Sequence, residues 1–193
     1  MQNSKMRTKD IITVVLLSLI NIVIFGFGTF FYLTPITILL MPIFYSLFQG
    51  IVFFMIGAKV QKKGAFLLYS VIQGVVGFNI PYIIMWIVSG FICEAILSRT
   101  GYTSVKGLAW SYIIQQLLAA VGSTIYPYAI TLETTLSRMD STTGDLCVYV
   151  EKAGHMIMGW GMLVLVAGII LSAWLGALFG SKAMKRHILR SEQ

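Results

Sequence analysis

Asn79, Tyr82 and Trp86 form one neighbourhood of side chains suited to gripping a small molecule. Tyr82 and Trp86 are four residues apart and therefore share a helix face. Thr124, Tyr126 and Tyr128 surround Pro127, Glu133 follows, and His155 and Trp160 open the last apolar run. Rings stack and amides hydrogen-bond, so the chemistry on offer is noncovalent capture. An aromatic belt at the lipid headgroups accounts for any one of these rings taken alone. As a group, Asn79, Tyr82, Trp86, Tyr126, Tyr128, His155 and Trp160 also match a ligand pocket, mostly apolar or aromatic with a few placed polar groups.

Other chemistries find little support. His155 has Met156 and Met158 beside it, but the second histidine, His187, lies far away in the tail. A metal site needs several ligands, so no metal is expected. GxSxG, HExxH, GxxxxGK[ST] and CxxC are all missing, so neither an enzyme nor a cofactor is expected. Without a nucleotide site, active transport would draw on another subunit or an ion gradient. No internal repeat supports a one-chain inverted-repeat transporter. Asn21, Gln49, Gln73, Gln115 and Gln116 read as hydrogen-bonding glue between helices, at ~0.6–2 kcal/mol each. Glu94 is the sole carboxylate within an apolar run, a functional candidate by default but a weak proton relay without a partner base. Cys93 and Cys147 should lie at different depths, so no disulfide is expected between them.

The elements that must position these groups are membrane helices. Of 193 residues, 58% are hydrophobic and 11% charged, with mean hydropathy +0.86; soluble domains carry about 25% charged residues. The formal charge of +7 would suggest nucleic acid in a soluble chain, but here the basic residues sit in short loops where they set topology. The basic start precedes an apolar run too long for a signal peptide, so a retained first helix is expected. Helices are expected at 11–31, 35–58, 64–77, 81–98, 107–131 and 154–180, in a single membrane domain with a polar outer loop at 132–153. That loop is long for a connection and could cover a pocket. Its acids, Glu133, Asp140, Asp145 and Glu151, could favour a cationic cargo or merely solvate the outer side.

Six spans with the N-terminus inside place twelve of the fourteen basic residues on the inner side, leaving only Arg138 and Lys152 outside. The positive-inside rule then holds at every loop. Merging 64–98 into one span would put the chain ends on opposite sides and break that rule. The expected fold is therefore an all-α integral membrane bundle of six transmembrane helices, N-in/C-in, in the cell membrane. In this orientation all four prolines (Pro35, Pro42, Pro81, Pro127) fall in the outer half. Irregular backbone at membrane depth is tolerated where protein or a water-filled cavity surrounds it, so the outer half is where a cavity is easiest to build. The third helix, at roughly 21 Å, is too short to cross unless its flanking turn dips in. The last helix carries Gly168, Ser172, Gly176 and Gly180 at four-residue spacing, a stripe that suits close packing within the bundle or docking of a partner subunit.

The order of these features resembles the substrate-binding (S) components of energy-coupling factor (ECF) transporters, and more narrowly the Trep_Strep (MptD-like) family. It rests on Thr8-Lys9-Asp10 before the first helix, the turn at 59–63, the break at 77–81, and the Gly-rich last helix ending in Gly180-Ser181-Lys182 before a basic tail. The resemblance implies a six-helix subunit that binds a small nutrient near its outer face. It also implies docking on a transmembrane coupling (T) subunit driven by two cytoplasmic ATPases. S components commonly use alanines four apart in helix 1 for that docking; here the matching stretch offers only Ser18 as a small residue. The expected function is capture of a vitamin-like or metal-chelate nutrient for ATP-driven uptake. The alternative is an accessory membrane subunit that binds only protein.

Overall fold

The computed structural model describes residues 5–139 and 144–191. The elements are α1 (Thr8–Gly26) with a 3₁₀ extension (Phe27–Leu33), α2 (Pro35–Lys59), α3 (Ala65–Val76), α4 (Ile80–Thr100) and α5 (Val105–Ala120) with a π-helical continuation (Val121–Ile130). After these come α6 (Leu132–Ser137), α7 (Asp145–Ile157) and α8 (Trp160–Ser191). Among the described residues, five segments are long and apolar enough to cross a membrane: Thr8–Leu33, Pro35–Lys59, Ile80–Thr100, Val105–Ile130 and Trp160–Arg186. The sixth expected span, α3, has twelve residues, about 18 Å at 1.5 Å each. Length alone therefore supports five crossings, not six.

Local sequence explains the breaks. Thr34 caps α2 by accepting from the Thr37 N–H at 3.2 Å, with Pro35 in the first turn. Gly64 enters α3 at φ +95°, a left-handed position that suits glycine. At the other end of α3, Phe78 takes φ +50° and stands 91% exposed before α4 begins.

By the contacts between the helices, α2, α4 and α8 run one way and α1, α3 and α5 the other, so the molecule has two chemically distinct ends. Asp10 Oδ2 accepts from the Arg7 backbone N–H at 2.8 Å and pairs with Lys62 Nζ at 2.7 Å, tying the start of α1 to the α2–α3 turn. Nearby, Glu94 settles a question the sequence leaves open. Its Oε1 accepts the Phe66 N–H at 2.9 Å, and its Oε2 accepts the Tyr102 hydroxyl at 2.7 Å. A carboxylate from α4 thus caps the N-terminus of α3, where helix donors lack partners and the dipole favours negative charge. We expect Glu94→Leu to lower stability by ~1–3 kcal/mol, because it strands the buried Phe66 donor; thermal unfolding in detergent reads this directly.

Two expectations need correction. The polar segment 132–153 is not an open loop, for α6 and most of α7 lie within it. Asp140 lies outside the described residues. On α7, Val150, Ala153 and Ile157 are buried while Glu151, Lys152 and His155 are exposed, which is the pattern of an amphipathic helix. The last long helix begins at Trp160 rather than at residue 154, because Gly159 at φ +64° breaks the run.

The stripe on α8 is also resolved, in favour of the bundle. Ser172 is buried, and a Cβ on Gly168 would fall 2.8 Å from the Ile43 side chain. One on Gly176 would strike the Ser46 carbonyl oxygen. Gly168 and Gly176 are therefore packed against α2, and Ser172 is buried with its hydroxyl donating to the Ile169 carbonyl, so the stripe is used inside the bundle. Ser18 is buried too; its hydroxyl donates to the Val14 carbonyl and its own carbonyl accepts Gln73 Nε2 at 3.1 Å.

Candidate functional site

A cavity of about 280 Å³ lies at the end of the bundle away from the Asp10–Lys62 pair. That is near the lower limit of small-molecule pockets, ~300 Å³. Four irregular stretches meet there. The 3₁₀ extension contributes Gly28, Thr29 and Tyr32, and the Pro42-containing half of α2 contributes Met41, Tyr45 and Gln49. The α3–α4 junction brings Gly77, Asn79, Tyr82 and Trp86. The end of α5 adds Gln116 and Ala120, and the π-helical turns add Ser123. Widened π turns leave backbone groups off the regular ladder, which is why they recur at functional sites.

Glycines let these parts approach. A Cβ on Gly77 would run into the Tyr82 ring, and one on Gly122 would fall 2.7 Å from the Tyr82 Cα. Tyr82 is thus clamped between the α3–α4 break and the π turns. A Cβ on Gly28 would meet the Tyr45 hydroxyl, which donates to the Phe25 carbonyl at 2.8 Å. Aromatic packing continues inward. Phe25 stacks on Tyr45 with centroids 5.4 Å apart, and Trp86 meets Tyr82 at 5.9 Å and Tyr69 at 5.8 Å, both edge to face.

The polar groups are few. Gln116 Nε2 donates to Gln49 Oε1 at 3.1 Å, so the Gln49 oxygen is engaged and its amide N–H groups are the part left to donate. The Trp86 indole is 1% exposed, yet its N–H has no hydrogen-bond partner. The Tyr82 hydroxyl stands beside it without completing a bond. At the mouth, Gly26, Thr29, Tyr32 and Asn79 are exposed. No charged side chain lines the cavity among the described residues.

Of the ring and amide residues singled out in the sequence, Asn79, Tyr82 and Trp86 converge here. The other four do not. Tyr126 is on the outer surface, and Tyr128 is buried against α2 and α7 beside Ile38 and Val150. His155 is exposed on α7, 3.9 Å from Glu151 one turn away. Trp160 is 83% exposed at the start of α8, as expected of a ring at headgroup level. The acids Glu133, Asp145 and Glu151 are exposed and do not reach the cavity. We expect His155→Ala to leave both stability and ligand retention unchanged within error, as read by unfolding and bound-molecule assays on the purified protein.

Sequence reasoning missed Tyr45 and read Gln49 and Gln116 only as glue. The signal was present: Tyr45 and Gln49 are four residues apart downstream of Pro42, the same spacing as Tyr82 and Trp86 downstream of Pro81.

Several helices this long and apolar define a multi-pass integral membrane protein. The family model described as "Hypothetical bacterial integral membrane protein (Trep_Strep)" matches residues 8–190. The chain belongs to the Trep_Strep family. No curated protein and no solved structure matches it.

Proposed function

We propose that this protein is the substrate-binding S component of an ECF-type transporter, holding a small nutrient in the cavity for uptake powered by other subunits. It works without chemistry of its own. Its partners are a transmembrane coupling subunit and two cytoplasmic ATPases. The observation that carries this reading is the cavity itself, set among broken helices at one end of the bundle. The other end gathers Lys5, Arg7 and Lys9 with Lys59, Lys62 and Lys63, Arg99 and Lys106. By the positive-inside rule that basic end is cytoplasmic, so the cavity faces outward and both termini lie in the cytoplasm. This topology takes six crossings, with α3 and the turn at 77–79 together completing the third. An accessory subunit binding only protein would have no need of an unfilled interior at that end, and the small-residue stripe on α8 is used inside the bundle.

Mass spectrometry of small molecules released from gently extracted protein separates the two readings. About one retained guest per chain is expected; a protein that repeatedly comes out empty would favour the accessory role.

A further inference from the structure

We infer that the enclosed part of the guest is an uncharged, planar heteroaromatic ring whose edge carries hydrogen-bond acceptors. This rests on reading the cavity as a binding site and narrows its cargo to one chemical class. Three observations carry it.

The first is charge. Burying an ion without a counter-ion is prohibitive, and no lining side chain among those described supplies one. The N-terminus of α4 reaches the cavity at Asn79 and Tyr82, but its dipole is a small inducement against burying an unpaired carboxylate. A metal chelate with net charge meets the same objection.

The second is shape. Phe25 and Tyr45 are stacked with an interplanar angle of 19°, and Tyr82 and Trp86 continue the aromatic wall. Rings of this kind receive a flat guest by offset or edge-to-face contact.

The third is the sense of the hydrogen bonds. An indole N–H only donates, and the one on Trp86 lacks an acceptor. The adjacent Tyr82 oxygen can accept it after a small adjustment, which turns the Tyr82 proton toward a guest. Gln49 accepts from Gln116 through its oxygen, so its amide N–H groups are what it offers as a further hydrogen-bonding face. The site therefore offers donors, and a ring carbonyl or ring nitrogen answers them.

The test uses probes that share a ring and differ in charge: nicotinamide against nicotinate and 1-methylnicotinamide, and uracil against orotate, with adenine and lumazine as larger neutral rings. Binding to the intact detergent-purified protein is measured by equilibrium dialysis. At least one neutral ring is expected to bind, tenfold or more tighter than its charged counterpart where the panel includes one. Tyr82→Phe should weaken it about tenfold, the effect of losing one well-made hydrogen bond. Trp86→Phe should weaken it in the same direction while leaving the folded protein intact. Charged probes binding as well as neutral ones would overturn the inference, as would undiminished affinity in both variants or a panel that does not bind at all. A guest still retained by the wild-type protein in any of those cases would leave the cavity's binding role standing, so the two failures are told apart.

Discussion

Trp86→Ala is expected to lower the stability of the protein by about 3–5 kcal/mol and to abolish retention of a guest. The magnitude is that of a large aromatic truncated in a packed interior, where lost transfer energy adds to an unfilled void. Trp86 is 1% exposed and makes ring contacts on two sides, with Tyr69 from α3 and Tyr82 from its own helix. Removing it would undo the inner wall of the cavity and loosen the α3–α4 packing together. Trp86→Phe should behave differently. It keeps a ring between Tyr69 and Tyr82 and deletes an indole N–H that has no partner. Because an unsatisfied buried donor is itself a cost, stability should fall by no more than about 1 kcal/mol. Chemical or thermal unfolding of both variants in detergent checks this contrast. A Trp86→Phe loss well above about 1 kcal/mol would mean that the indole N–H is satisfied in the protein, and a loss equal to that of Trp86→Ala would contradict the ring packing described here.

The second large effect should come from Gly176→Leu. A Cβ at Gly176 would strike the Ser46 carbonyl oxygen and fall 2.8 Å from that of Leu47. Both obstacles are backbone, so no rotamer change relieves the clash and α2 must separate from α8. Overpacking typically costs 1–3 kcal/mol, occasionally more; with two helix backbones in opposition we expect about 3 kcal/mol or more. Gly26→Ala is the matched control. A Cβ there meets nothing within 4 Å, so its effect should stay within about 0.5 kcal/mol. Comparable losses in the two variants, measured by thermal unfolding followed through size-exclusion elution, would contradict the packing described for α8.

The membrane class was legible because long apolar runs need no tertiary context, and capping residues such as Thr34-Pro35 mark helix starts locally. The amphipathic α7 was hidden for the opposite reason. Its charged face lowers average hydropathy, and only the spacing of Val150, Ala153 and Ile157 betrays the helix. Gly159 was similarly silent, since a positive φ cannot be read from an apolar stretch such as Met156–Trp160.

At the site, residues on one helix could be grouped by spacing, so Asn79, Tyr82 and Trp86 were found together. Groups from different helices could not. Tyr45, Gln49 and Gln116 join them through the packing of α2 and α5, a relation between distant segments that no local pattern encodes. His155 and Trp160 were drawn in by assuming that one helix ran through 154–180. Once the break at Gly159 separates α7 from α8, both side chains face away from the cavity.

The most direct measurement compares the wild-type protein with Ser123→Trp, a substitution on the cavity wall that fills the space without touching the α2–α8 contact. Molecules released from each after gentle purification are counted per chain by quantitative mass spectrometry. One guest per wild-type chain, absent from a Ser123→Trp protein that still folds, is the expected result. A guest present at the same level in both proteins, or in neither, would contradict the claim that this cavity is where cargo is held.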